Sequence, residues 1–293
     1  LKLLLTGSKG QLGSQINEII SRGKSELGEI NPTYKKIELK GISREDLDIS
    51  KLEDTQTYIK VFKPDIIINP AAYTNVDGCE NNEEVAFKAN AIGARNLAIA
   101  AEEVGAKLIH ISTDYVFEGK GTTPYTEYDL PSPVSVYGKT KLAGETYVKE
   151  FCSRYFIIRT AWLYGYNGKN FVKTIIKSSK EKGHLDVVDD QRGNPTNVED
   201  LAYHILKIAL TEEYGTYHCA GKGECSWFDF AKKIVEYAGI SCIVNPITSN
   251  KLTRTAKRPS YSALDNMMLR CTIGDEMRPW QDALKTFIHK LEL

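Results

Sequence analysis

The chain has 293 residues, 42% apolar and 26% charged, a balance that suits a soluble globular enzyme with a substantial core. Its 38 Lys+Arg and 38 Asp+Glu cancel to a formal net charge of zero, which argues against a general nucleic-acid binder, since that needs a basic surplus. The longest apolar runs, such as Ile66-Ile67-Ile68, are far too short to span a bilayer, so no membrane partner is expected.

The first apolar run, residues 1–5, leads straight into a glycine turn and reads as a buried strand and not as a signal peptide. Strands are predicted over 2–6, 36–40, 65–69, 107–112 and 155–159, alternating with helices over 11–21, 52–62, 83–103 and 136–151. Near-continuously apolar strands in this βαβα order predict an α/β fold, a doubly wound parallel sheet covered on both faces. Pro64 disfavours helical geometry at Lys63, so the second helix should stop there. A loop over 118–133 precedes the last of these helices, and a loop of that length is expected to cover a site. Beyond 160 the pattern loosens, with helices expected over 170–182, 198–210 and 227–238 and strands over 184–188 and 214–220. The reading is a Rossmann-type dinucleotide-binding domain over 1–160, interleaved with elements around 186–220. A smaller C-terminal substrate-binding region takes 161–185 and 221–293.

Thr6-Gly7-Ser8-Lys9-Gly10-Gln11-Leu12-Gly13 joins the first strand to the first helix with G-x-x-G-x-x-G spacing. Gly7 permits a tight turn, Gly10 lets the backbone approach a pyrophosphate, and Gly13 lets helix and strand pack closely. The helix N-terminus then offers N–H groups and a positive dipole end to the anion. The second strand ends in Gly41-Ile42-Ser43-Arg44, with no acid for a ribose 2′-hydroxyl. Arg44 leaves room for a 2′-phosphate and hence NADPH, although it would serve equally as a solvated loop charge. Asp48-Ile49 either caps the next helix or faces the adenine. Ala71, Ala72 and Tyr73 end the third strand on small residues, where a ligand passes over a doubly wound sheet. Asn90 is a mid-helix polar residue, suited to orienting a water or a lysine and equally to lying exposed or in a local bond.

Tyr137 and Lys141, spaced i, i+4, share one helix face. A phenol beside an ammonium is an acid–base device, but lowering its pKa from about 10 to near 7 takes roughly 4 kcal/mol. One ammonium does not supply that, so a cationic cofactor and a hydroxyl such as Thr113 are expected to share the work.

These runs, together with Ser112-Thr113-Asp114-Tyr115-Val116-Phe117, Arg159-Thr160-Ala161-Trp162, Asp190-Gln191-Arg192-Gly193-Asn194-Pro195-Thr196 and Arg258-Pro259-Ser260-Tyr261-Ser262-Ala263-Leu264-Asp265, resemble the extended short-chain dehydrogenase/reductases. Within them the chain is similar throughout to the dTDP-4-dehydrorhamnose reductase family. The resemblance implies NAD(P)H-dependent reduction of a dTDP-4-keto-deoxysugar, with Tyr137 as proton donor, Lys141 holding the nicotinamide ribose and Thr113 stabilising the developing alkoxide. It further implies that Gln11, Leu12, Ala71, Ala72 and Tyr73 line the cofactor cleft. Asp114 and Trp162 would contact the sugar, and Arg258 either the nucleotide diphosphate or a C-terminal loop that it clamps. NADPH or NADH is the expected cofactor and a homodimer a reasonable expectation. Some relatives hold a divalent metal at a subunit contact, but no carboxylate cluster here establishes one. The competing readings are another sugar-nucleotide epimerase or reductase of the same superfamily, and a non-catalytic NADP-binding regulatory subunit. The dehydratases carry a glutamate after the Thr-Asp pair, where this chain has Tyr115. The six cysteines lack any C-x-x-C pair and read as free thiols, and a cytoplasmic location is expected.

Overall fold

The computed structural model describes residues 1–291. Its strands are β1 (Lys2–Leu5), β2 (Lys24–Ser25), β3 (Gly28–Glu29), β4 (Glu38–Gly41), β5 (Ile66–Asn69), β6 (Lys107–Thr113), β7 (Tyr155–Thr160), β8 (Leu163–Tyr164), β9 (His184–Val188), β10 (Arg192–Gly193), β11 (Thr196–Asn197), β12 (Gly215–His218), β13 (Cys225–Ser226) and β14 (Ile243–Ile247). The helices are α1 (Gln11–Arg22), α2 (Leu52–Phe62), α3 (Val76–Asn81), α4 (Glu83–Phe87), α5 (Gly93–Val104), α6 (Val136–Phe151), α7 (Phe171–Lys182), α8 (Val198–Ala209), α9 (Trp227–Tyr237), α10 (Met267–Cys271) and α11 (Trp280–Lys290).

Six strands form one parallel sheet in the order β12-β7-β6-β5-β1-β4. Alternation along each strand divides the apolar residues between two faces. Leu3, Leu5, Ile66 and Ile68 pack with α1 and α8 residues, whereas Leu4, Ile67 and Leu108 pack with Leu97, Ala101 and Val148. Both faces are therefore buried, as the unbroken apolar strands require. The connection from β1 leads outward to β4 and the next returns to the other side at β5. The switch point between β1 and β5 is where such a sheet opens a ligand crevice.

Local chemistry explains the helix limits. Gly23 closes α1 at φ 71, and Lys63 closes α2 in the same left-handed region at φ 51, just before Pro64. The helix predicted over 83–103 is interrupted by a π turn at Lys88–Ile92. Beyond residue 160 a further apolar cluster gathers Tyr164, Val172, Phe230, Trp280 and Phe287. There β9 pairs with β14 and not with the large sheet, while β12 returns to the sheet beside β7. All six cysteines are unpaired. Among the described residues no helix is long and apolar enough to cross a membrane.

Candidate active site

The glycine turn is tight for a steric reason. Gly7 adopts φ +53 with a Cβ position only 3.1 Å from the Ala71 backbone. A Cβ on Gly13 would lie 2.3 Å from the Gly7 carbonyl oxygen. The chain folds back on itself and brings α1 to the strand ends, with Gly10 at its N-cap and no side chain capping it. The N–H groups of the first turn are thus free to meet an anion, and these residues fit a dinucleotide pyrophosphate.

The surrounding side chains depart from expectation in part. Leu12 turns into the core beneath the sheet, so only its backbone faces the crevice. Gln11 is held by Leu163 and Asn170, its Nε2 donating to the Leu163 carbonyl at 3.3 Å and its Oε1 accepting from Asn170 at 3.0 Å. It joins the crevice wall to the C-terminal half. Ile49 packs against Gly93, and its carbonyl accepts from Asn96 at 2.9 Å. Asp48 does not cap α2. It accepts from the Ser50 N–H and hydroxyl at 3.1 and 2.7 Å, while Lys51 is the N-cap residue. Arg44 is exposed beyond β4, with only a loose 3.9 Å pair to Asp48, and its guanidinium is available to a ribose 2′-phosphate. A surface groove of about 890 Å³ runs past Arg44 and Asp48 to Tyr58 and Phe62, away from the glycine turn.

Asn90 neither holds Lys141 nor sits exposed. From the π turn its Oδ1 accepts from the Tyr73 N–H at 2.7 Å, and its Nδ2 donates to the Tyr73 carbonyl at 3.2 Å and to Thr140 Oγ1 at 3.1 Å. It locks the Ala71–Ala72–Tyr73 segment to α6.

That helix carries the candidate acid. Ser135 caps it by accepting from the Gly138 N–H at 3.2 Å. A Cβ on Gly138 would stand 2.2 Å from the Tyr115 carbonyl, so only glycine lets α6 start this close to the turn that follows β6. The rings of Tyr115 and Tyr137 meet edge to face at 5.6 Å. Burial pushes the Tyr137 phenol above its ordinary range, aided by the Asp114 and Tyr115 charges and opposed by the Thr113 hydroxyl. Burial outweighs the pull of the Thr113 hydroxyl and favours the protonated phenol. A proton donor needs that state.

Lys141 is buried and held by the strand beneath. Its Nζ donates to the Ile111 carbonyl at 2.6 Å and lies 3.3 Å from His110 Nε2. Desolvation lowers its pKa to about 8, with Glu145 opposing. Thr113 Oγ1 donates to Asp114 Oδ1 at 2.9 Å. The other carboxylate oxygen of Asp114 is buried without a partner. Burial raises that carboxyl to about 6, while hydrogen bonds from Ser262 and Thr113 pull it back.

Trp162 adopts φ +45, rare for a large side chain. Its ring stacks on Trp227 with centroids 3.5 Å apart, and Gly193 provides the space, since a Cβ there would lie 2.6 Å from the indole. Arg258 makes a two-pronged pair with Asp77 at 3.2 and 2.8 Å, fastening the C-terminal segment to α3. Of its two expected roles this is the clamp. Arg254 stands near Tyr115 and Arg258, more exposed, and was not picked out from the sequence. The signal was present as three basic residues, Arg254, Lys257 and Arg258, within five positions. Trp227, His110 and Glu145 also escaped notice. Glu145 receives Ser112 Oγ at 2.5 Å and a two-pronged Arg159 at 3.0 and 2.7 Å, bracing β6 against α6 below Thr113.

The RmlD substrate binding domain family model matches residues 1–293. The spore coat polysaccharide biosynthesis protein SpsK of Bacillus subtilis is 36% identical over 289 residues, covering 99% of this chain and 97% of its own. A dTDP-4-dehydrorhamnose reductase structure from Clostridium acetobutylicum aligns with a TM-score of 0.94 at 45% identity across 100% of both chains. That of Bacillus anthracis, in complex with NADP, aligns at 0.92 and 43% identity over 99% of each. The chain belongs to the RmlD substrate binding domain family and groups with the dTDP-4-dehydrorhamnose reductases.

Proposed function

We propose that this protein reduces the 4-keto group of dTDP-4-dehydro-L-rhamnose to give dTDP-L-rhamnose, using NADPH or NADH. The observation that carries the reading is a phenol kept protonated beside a hydroxyl and a half-satisfied buried carboxyl, at the strand ends that also bear the glycine turn. Bound reduced nicotinamide supplies a hydride to the keto carbon. Tyr137 gives its proton to the keto oxygen, and the Thr113 hydroxyl stabilises the charge developing there. Lys141 spends one N–H on Ile111 and meets His110 Nε2 at 3.3 Å, and in either charge state keeps one N–H for the nicotinamide ribose. The open oxygen of Asp114 accepts a sugar hydroxyl, and the Trp162 ring, supported by Trp227, packs on a face of the deoxysugar. Arg254 suits the diphosphate better than Arg258, whose charge Asp77 already neutralises. The lobe containing Tyr164 and Phe230 serves as the substrate region, and a homodimer is part of the same reading.

The test is NADPH and NADH oxidation, followed by absorbance, with the keto-sugar nucleotide generated in situ. Sugar-dependent oxidation is the expected result, and the ratio of the two rates reads the role of Arg44. Tyr137→Phe should lower turnover about 100-fold or more, the ordinary contribution of a positioned general acid. Cofactor binding without sugar-dependent oxidation would overturn the assignment, and near-normal turnover by the Phe variant would remove Tyr137 from the mechanism.

A further inference from the structure

His110 lies on β6, wholly buried, facing α6 where Gly144 leaves it room. Both ring nitrogens have partners. Nδ1 is 3.1 Å from Asn69 Nδ2, and Nε2 is 3.3 Å from Lys141 Nζ. Asn69 Oδ1 in turn accepts from Thr6 Oγ1 at 2.6 Å. The row Thr6, Asn69, His110, Lys141 runs from the glycine turn just past β1 across β5 and β6 to the amine on α6.

Proton counting makes this row directional. A neutral imidazole has one donor and one acceptor nitrogen. If Nε2 accepts from a Lys141 ammonium, the ring proton is on Nδ1. Asn69 must then present its oxygen there and its NH2 to Thr6. With the amide oriented as found, Asn69 donates to Nδ1 and Nε2 carries the proton, which only an uncharged amine can receive. The two charge states of Lys141 thus correspond to opposite directions of the whole row.

We propose that His110 is a positioning residue for Lys141, holding the amine at the floor of the crevice and coupling its charge to the direction of a buried hydrogen-bond row through Asn69 and Thr6. The surroundings support it. Burial and the neighbouring Lys141 keep His110 neutral, so it is an acceptor or donor and never a competing cation. On the same helix Glu145 favours protonation of the amine, and Glu145 is itself paired with Arg159 on β7. The reductase reading is needed only for what Lys141 does in turnover; the coupling belongs to the protein itself.

The experiment compares His110→Phe, which removes both nitrogens, with His110→Gln, whose amide reaches where Nε2 stands. NADPH affinity, the pH profile of kcat/KM and the 15N shifts of His110 in labelled wild-type protein without cofactor are the readouts. Loss of an acceptor disfavours the ammonium, so the alkaline limb near pH 8 should move down by about one unit in the Phe variant. NADPH affinity should fall about tenfold, and both effects should be largely restored in the Gln variant. In wild type the ring proton should pass from Nδ1 to Nε2 as Lys141 deprotonates. An unchanged limb and affinity in the Phe variant, or equal loss in both variants, would overturn the proposal. So would a ring tautomer that stays constant from pH 6 to 10, a result independent of whether either variant folds. If wild type reduces no sugar nucleotide the reductase reading has failed, while the NADPH titration and nitrogen shifts still decide the role of His110.

Discussion

Asp114 is two things at once, a structural acceptor for Thr113 and a carboxyl with one oxygen left over. Because burial raises its pKa to about 6 from the unfolded value of 3.8, the ionised form costs the fold stability above about pH 6. That cost is relieved as pH falls from about 6 toward 3.8. Asp114→Asn should therefore raise the Tm at pH 8 and leave it nearly unchanged at pH 4, a comparison that calorimetry makes directly. The same variant should lose the acidic limb of kcat/KM near pH 6 and raise the KM for the sugar nucleotide about tenfold, since a charged acceptor is worth roughly 1.5–3 kcal/mol. Asp77 has the opposite sign. Arg258 lowers its carboxyl to about 2, so its contribution is present above 3.8 and lost as pH falls toward 2. At this scale the sequence showed which residues share an element and a motif. It did not show competition for a side chain. Arg258 could be recognised as a phosphate-type cation, but its capture by Asp77, 181 positions away, has no local signature. Leu12 belonged to the right turn and still went to the core, because a helix one face wide turns every third or fourth residue inward.

The element that most shapes the crevice is the π turn between α4 and α5. One extra residue per turn, a feature frequent at functional sites, swings the Asn90 amide toward Tyr73. α6 packs so closely there that a Cβ on Gly144 would lie 2.4 Å from the Asn90 carbonyl oxygen. Asn90→Ala would strand the Tyr73 N–H and C=O together. We expect a loss of about 1–3 kcal/mol in urea unfolding, with weaker NADPH binding because the Ala71–Ala72–Tyr73 wall is freed. Unchanged affinity would show that the wall holds without its clamp. The turn itself was invisible in the apolar pattern, which runs through 83–103 without a break. Long buried strands and amphipathic helices were legible because their periods are strong, as in α1 and α8. Two-residue strands such as β8, β10 and β11 have no period to read. β14 contains Pro246, which on pattern alone argues against a strand, although an edge position tolerates it.

Across the whole molecule, the ends of the chain are tied by buried charge. Arg278 contacts Asp200 and Glu26, which Lys290 and Tyr166 also reach. Arg22 contacts Glu199. Removing Arg278 leaves Asp200 buried without its cation, while Glu26 keeps Lys290 and Tyr166, so Arg278→Leu should cost about 3–5 kcal/mol in chemical denaturation. A change below 1 kcal/mol would mean that water reaches the cluster. These partners lie far apart in sequence, so the interleaving of the two regions was legible while the charge pairs that fasten them were not. The sheet makes the same point through time. Its outer strand β12 pairs with β7 only after β8 to β11, α7 and α8 have been made. A nascent chain that ends just after β7 presents an open edge and apolar Phe156 and Ile158 still awaiting Tyr217 and Met277, their companions in one cluster. The nucleotide-binding domain, expected to interleave with elements around 186–220, must wait on the ribosome for its last strand. Manufacture and assembly of this protein follow different orders.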